Sequence, residues 1–416
     1  MPLIVQKYGG TSVGDAAKIK KVAQRLLATQ REGARVVGVI SAMGGVTDSL
    51  IKLAKEMSPD PTDRELDVLL STGERASSAL TAMAINALGG KAISLTGAEA
   101  GILTDRNYTK ARIANISPRR IHQLLAEDYI VVVAGFQGQS PEGDTTTLGR
   151  GGSDLTAIAL AGALNADACQ IFTDVDGVFT CDPRIVKDAA KVDEIAYDEL
   201  LEMAGAGSKV MQSRAVEFAK KFGVEFEVRS SFKPDPGTIA REETPNMEDV
   251  VIRGISLDRK QAKLTVAGVP DKAGVAGRIF SMVAAHHMVV DMIVQSAPIE
   301  GKIDISFTIH EDELEDARKV LMPVVTEVNA NRLNTTSGAA KLSVVGIGMR
   351  SHSGVAAKFF ECLGKAGINI QLVSTSEIKI AVLIDGAQAD NAAQIIHREF
   401  GLRRLAPTLT ATRPLG

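Results

Sequence analysis

The chain has 416 residues, 45% of them apolar and 23% charged, which is enough to fill more than one hydrophobic core beneath a solvated surface. A formal net charge of -3 lacks the basic excess that neutralising many nucleic-acid phosphates requires, so nucleic acid is excluded as a partner. Three cysteines without CxxC spacing read as reduced thiols, and there is neither a signal segment nor an apolar run of the roughly 20 residues that a membrane helix needs. The expectation is therefore a cytoplasmic protein without a membrane partner.

In chain order, "PLIVQKY" predicts a short strand ended by Gly9 and Gly10, and Ile19, Val22, Ala23, Leu26 and Leu27 recur at helical spacing up to Gly33. "ARVVGVISAMGG" predicts a buried strand, "VTDSLIKLAKEM" a helix, and "RELDVLLSTGERASSALTAMAINALGG" a long helix closed by a glycine pair. "KAISLTG", "YIVVVAGFQG" and "CQIFTDVDG" are near-continuous apolar strands of the kind found where helices cover both sheet faces. This is an open α/β sandwich. In such sheets ligands lie beyond the carboxyl ends of the strands, where Lys7 to Ser12, Ser41 to Thr47, Gly135 to Gly138, Gly149 to Asp154 and Thr173 to Asp176 would converge.

Proline, glycine and charge interrupt the alternation between about Lys233 and Asp249, and an internal repeat follows. "AKLTVAGVPDKAGVAGRIFSMV" and "AKLSVVGIGMRSHSGVAAKFFECL" align, each opening a βαββαβ (ferredoxin-like) module with a helical stripe, Val275, Ile279, Val283 in one and Val355, Phe359, Leu363 in the other. The predicted domains are residues 1–245, 250–338 with a leading strand, and 339–416.

No G-x-x-x-x-G-K-[ST] is present, and "LGRGGSDLTA" lacks G-x-G-x-x-G spacing, which argues against P-loop and Rossmann enzymes. "GRGGSD" nevertheless runs into an apolar helix whose first amides suit an anion. Lys7, Asp154, Thr173, Asp174 and Lys209 would supply cations and carboxylates around glycine-lined strand ends, the set that phosphoryl transfer needs. The six histidines show no ligand spacing, and no structural metal is expected.

"KYGGTSVGD", "VISAMGGVTDSL", "LLSTGERASSALTA", "GFQG", "TTTLGRGGSDLTA" and "FTDVDGVFTCDPR", in this order, resemble the aspartate kinases of the amino acid kinase superfamily, and the tandem repeat resembles their ACT regulatory domains, of the type sensitive to lysine and threonine. The resemblance implies phosphorylation of L-aspartate by ATP with Mg²⁺ to 4-phospho-L-aspartate, the first step of lysine, threonine and methionine biosynthesis. It implies that Lys7 and Lys209 stabilise the transferred phosphoryl group, that Asp154 holds them in register, and that Gly9 and Gly10 let the backbone approach the phosphates. Thr173, Asp174, Phe179 and Arg184 would also contact the nucleotide, with Phe179 where relatives often carry tyrosine. Ser41, Thr47, Glu74, Arg150, Gly152 and Ser153 would bind aspartate, Arg150 taking its α-carboxylate and Glu74 its ammonium.

In the repeats, the resemblance assigns Asp271, Gly274, Ala276, Gln295, Asn369 and Ile370 to threonine, and Asp291, Met349, His352, Val355, Ser376 and Glu377 to lysine. It further implies self-association through the ACT modules, as a homodimer or as an α2β2 assembly whose small subunit starts at Met247. Two other readings stand beside this one: another amino acid kinase such as glutamate 5-kinase, and a non-catalytic amino-acid sensor.

Overall fold

The computed structural model describes residues 1–205, 211–242, 251–350 and 352–403. Chain contacts divide it into two units. The first is built from Met1–Val178, Lys191–Ala204 and the described residues between 209 and 245, and the second from Phe179–Ala190 and the described residues after 246.

The first unit is an eight-stranded sheet in the order Glu194–Ala196, Thr238–Arg241, Phe226–Ser230, Ala168–Thr173, Leu3–Tyr8, Arg35–Ile40, Ile130–Ala134, Ala92–Leu95. Its pairings are parallel except for that between Phe226–Ser230 and Thr238–Arg241. The helical stripe predicted after Gly10 belongs to helix Ala16–Arg31, which packs Val22, Leu26 and Leu27 over Val36, Ile40, Ile130 and Val132. The opposite face of the central strands takes helix Gly152–Leu164, which is apolar nearly all round and buried along almost its whole length. Side chains alternate across a strand, so Tyr8 lies with the first helix while Lys7, in phase with Leu3 and Val5, faces the second. A small four-stranded sheet, Ile113–Ile116, Ile102–Thr104, Gln137–Gln139 and Thr145–Thr147, stands beside this core.

The second unit carries a six-stranded antiparallel sheet in the order Ile293–Gln295, Lys302–His310, Gly254–Pro270, Arg332–Val345, Lys379–Asp385, Leu372–Thr375. Two strands are long enough to serve both repeats. Gln261–Ala267 pairs with Arg332–Ala339 in the first copy, whereas Gly254–Asp258, ahead of that copy in sequence, pairs with Lys341–Val345 of the second. The leading strand thus completes the second module's sheet. Ile279 and Val283 close one core, Phe359 and Leu363 the other.

The second core also takes in Cys181, Val186 and Ala189 from the segment Phe179–Ala190. Thr180 fixes that segment: its Oγ1 donates to the Leu402 carbonyl at 3.0 Å and its carbonyl accepts from Ile255 N at 2.7 Å. With the hydroxyl proton committed, His397 Nε2, 3.0 Å away, donates to Thr180 Oγ1. Burial lowers the His397 pKa and so favours the neutral ring, whose Nε2–H tautomer makes this bond.

Candidate active site

A pocket of about 480 Å³ opens at the carboxyl ends of the central strands, lined by loops that follow Leu3–Tyr8, Arg35–Ile40 and Ile130–Ala134 and by the start of helix Gly152–Leu164. The loops interlock through their glycines. Gly10 O accepts from Gly44 N at 3.1 Å, and a Cβ on Gly10 would sit 2.8 Å from the Ala42 carbonyl oxygen, so no larger residue fits without displacing backbone. A Cβ on Gly135 would likewise meet Ser153 Oγ at 2.7 Å. Helices Val46–Met57 and Gly152–Leu164 both begin after a left-handed glycine, Gly45 and Gly151, and neither has a side-chain cap. Val46 N, Gly152 N and Asp154 N already donate to the carbonyls of Met43, Gly149 and Gly151, and among the described residues the other first-turn amides suit an anion.

On the floor, Lys7 Nζ lies 2.6 Å from Asp154 Oδ1, and both residues are more than nine-tenths buried. Glu74 lines the same cavity from helix Asp63–Ala87: its Oε1 accepts from Ala42 N at 3.1 Å while its buried Oε2 has no hydrogen-bond partner among the described residues. Burial pushes its pKa up to about 7, the Ala42 bond opposing the shift. Glu74 lines the cavity, and a buried carboxylate there without its full set of partners suits a cation of ligand size. Ser41, Thr47 and Gly152 line the same pocket, as does the exposed Arg150.

The structure therefore gathers Lys7, Gly10, Ser41, Thr47, Glu74, Arg150, Gly152, Ser153 and Asp154 at one cavity. Gly9 adjoins it: its N donates to Phe172 O at 3.2 Å, and a Cβ there would lie 3.3 Å from Lys7 Nζ. Thr173 and Asp174 end the neighbouring strand, with Thr173 Oγ1 donating to Asp174 Oδ1 at 3.1 Å. Phe179 and Arg184 belong to the second unit, Phe179 packed on its core and Arg184 paired with Asp182 at 2.6 Å. Lys209 and Met247 lie outside the described residues. No group of three or more metal-capable side chains occurs among the described residues. No helix among them is long and apolar enough to cross a membrane.

Residues that the sequence reading passed over also shape the cavity: Thr109 and Thr147 line it. Asp67 is buried behind it. One signal was available, because Asp67, Ser71, Glu74, Ser78 and Thr81 recur at three- and four-residue steps and form a buried polar stripe on the long helix.

In the second unit Gly274 and Gly354 each precede a helix at φ +93° without a side-chain cap, in open surroundings. Asp271, Gln295 and Asn369 are exposed, with Ala276 and Ile370 half-buried. Of the other set, Met349 and Val355 pack on the second core, His352 Nδ1 lies 2.8 Å from Gly348 O, and Ser376 N donates to Lys379 O at 2.8 Å, with Glu377 next to it. Asp291 is engaged by the buried Lys341 of the other repeat.

A glycine-lined pocket at the carboxyl edge of an open α/β sheet, followed in the chain by a tandem of βαββαβ modules, suits a small-molecule phosphotransferase. The model of the amino acid kinase family matches residues 2–230, and that of the ACT domain matches residues 264–322 and 342–400. The aspartokinase of Mycolicibacterium smegmatis is 48% identical over 408 residues, 97% of each chain. The crystal structure of E. coli aspartokinase III in complex with aspartate and ADP (R-state) matches with a TM-score of 0.80 at 26% identity, over 95% of this chain and 99% of that one. The same enzyme's complex with lysine and aspartate (T-state) matches at 0.76 and 26%, over 96% and 99%. The chain belongs to the aspartate kinase family.

Proposed function

We infer that the chain transfers the γ-phosphoryl group of ATP to the side-chain carboxylate of L-aspartate, giving 4-phospho-L-aspartate and ADP, as the first step toward lysine, threonine and methionine. The observation that carries the site assignment is the buried Lys7–Asp154 pair on the floor of a glycine-lined pocket that Glu74 also lines, with one carboxylate oxygen unpartnered among the described residues. An oxygen of the acceptor carboxylate attacks the γ-phosphorus and the bond to the β,γ-bridging oxygen breaks, so that the departing electron pair stays with ADP. The acceptor is already ionised near neutral pH and needs no general base, in keeping with a pocket whose lining includes no histidine among the described residues. What the reaction needs is charge stabilisation and alignment.

Lys7, aligned by Asp154, would take the charge on the transferred group, and Lys209 would act with it. Gly9 and Gly10 admit the phosphates, Thr173, Asp174, Phe179 and Arg184 would hold the nucleoside end, and Ser41, Thr47, Gly152 and Ser153 would bind the acceptor. Arg150 would take the aspartate α-carboxylate and Glu74 its ammonium, which would draw the Glu74 carboxyl back to its ionised form. Magnesium would arrive with the nucleotide. A Mg²⁺ held chiefly by phosphate oxygens and water suits a pocket without a metal-ligand cluster of its own among the described residues.

The second unit would bind effector amino acids, threonine at Asp271, Gly274, Ala276, Gln295, Asn369 and Ile370, and lysine at Asp291, Met349, His352, Val355, Ser376 and Glu377. The uncapped helix starts at Gly274 and Gly354 support a carboxylate ligand at each copy. The modules would also mediate self-association, as a homodimer or in α2β2 form.

The test is an ADP-release assay with aspartate, glutamate and acetylglutamate, run on the wild type and on Lys7→Ala. Aspartate alone should support turnover, and Lys7→Ala should lose at least about tenfold in kcat, equal to about 1.4 kcal/mol of transition-state stabilisation. Preference for glutamate would favour a glutamate kinase. A wild type that binds amino acids without releasing ADP would favour a sensor.

A further inference from the structure

We propose that Asp67 and Arg214 are a positioning pair that holds the acceptor-binding loop, and with it Arg150, in its working geometry. The proposal rests on the reading of Arg150 as the clamp for the aspartate α-carboxylate. Arg150 is exposed and stands between two left-handed glycines, Gly149 at φ +78° and Gly151 at φ +70°. A long side chain on so pliable a backbone has no defined position unless the backbone is fixed from outside.

Two charged side chains fix it. Asp67, fully buried, accepts from Thr147 N at 2.9 Å and Thr147 Oγ1 at 2.5 Å, and from Thr109 N at 2.9 Å. Arg214 answers on the carbonyl side, donating from Nη1 to Leu148 O at 2.7 Å and from Nη2 to Ala111 O at 2.5 Å. The clamped segments also bond to each other, Ala111 N donating to Thr147 O at 2.9 Å. One carboxylate thus gathers the amides, and one guanidinium the carbonyls, of the same pair of crossing segments. Among the described residues neither side chain forms an ion pair, so both are spent on these two segments, Asp67 on two amides and the Thr147 hydroxyl and Arg214 on two carbonyls.

Two further observations place the strain where the pair acts. Thr109, whose amide Asp67 holds, has φ +64°, an uncommon conformation for a β-branched residue. A Cβ on Gly151 would lie 2.6 Å from Gln212 Cβ, so the residue after Arg150 is pressed against the helix start that bears Arg214. The loop is therefore gripped at Thr147, Leu148 and Gly151, leaving Arg150 as its projecting side chain. Asp67 and Glu74 are seven residues apart on the helix Asp63–Ala87, so one rigid element bears both the clamp's support and the expected ammonium partner.

The experiment measures kcat and both KM values for Asp67→Asn, Arg214→Lys, Arg150→Ala and the double variant Asp67→Asn/Arg150→Ala. Asn replaces one accepting oxygen by an amide that faces N–H donors, and Lys cannot fork across two carbonyls. Asp67→Asn and Arg214→Lys should each raise the KM for aspartate about tenfold or more while the KM for ATP stays within about twofold. In the Arg150→Ala background Asp67→Asn should add less than about twofold, because a residue that acts through Arg150 has nothing left to position. An aspartate KM within about twofold of wild type in both single variants overturns the proposal, as does a full multiplicative effect in the double variant. If Asp67→Asn yields no folded protein, Arg214→Lys decides, alone and combined with Arg150→Ala. An unchanged aspartate KM in Arg150→Ala refutes the clamp itself, whatever the Asp67 variant does.

Discussion

Glu74 is held in a state that costs stability in the absence of substrate, and Glu74→Gln should expose that cost. Its carboxyl is buried with one oxygen unpartnered among the described residues, and burial raises its pKa from 4.5 to about 7. The folded protein then binds this proton more tightly than the unfolded chain does, so stability falls as pH rises from about 4.5 to about 7 and stays reduced above that. With about 1.4 kcal/mol per pKa unit, the penalty is about 1 kcal/mol at pH 5 and about 3 kcal/mol at pH 8. Glutamine keeps an oxygen for Ala42 N and carries no charge. Glu74→Gln should therefore be more stable than wild type by about those amounts, the gain at pH 8 exceeding that at pH 5 by about 2 kcal/mol. Urea unfolding of both proteins at the two pH values measures it. Saturating aspartate should narrow the difference by stabilising the wild type more than the variant, whose aspartate KM should rise by about thirtyfold or more, the value of a lost charged hydrogen bond. An equal stability difference at pH 5 and pH 8 would refute the burial argument, and an unchanged aspartate KM would refute the ammonium assignment.

Loss of Gln295 or a bulky residue at Ser376 should relieve inhibition by threonine or lysine with uninhibited turnover unchanged, since only differential effector binding is removed; titrations of each effector, alone and together, check this, and unchanged sensitivity would place the effector sites elsewhere. A chain starting at Met247 would have 170 residues and would include both repeats with Gly254–Asp258, the strand that completes the second module's sheet. Native mass spectrometry should show that species, and Met247→Leu should remove it, whereas a single full-length species unaffected by the substitution would favour a homodimer.

Local pattern by itself carried a large share of this protein. Apolar runs such as "IVVVA" are buried on both faces only where helices cover a sheet from both sides, so the sandwich was legible before any coordinate. Glycine and hydroxyl residues at strand ends marked the loops that meet at the pocket, because a parallel sheet sets the carboxyl ends of its strands along one edge. The repeat was legible as self-similarity. Tertiary structure decided what depends on partners distant in sequence. Whether Glu74 would be a solvated helix residue or a buried carboxyl near neutral pKa turned on the Ala42 loop packing over it, 32 residues away in the chain. Asp67 and Arg214 carry no local mark of their role, since the backbone atoms they hold lie 42 to 103 residues away. The second module's last strand comes from ahead of the first, and Phe179–Ala190 leaves the first unit to fill the second unit's core. Both assignments follow from which surface buries an apolar strand or segment best. That is a property of the assembled chain and not of any window within it.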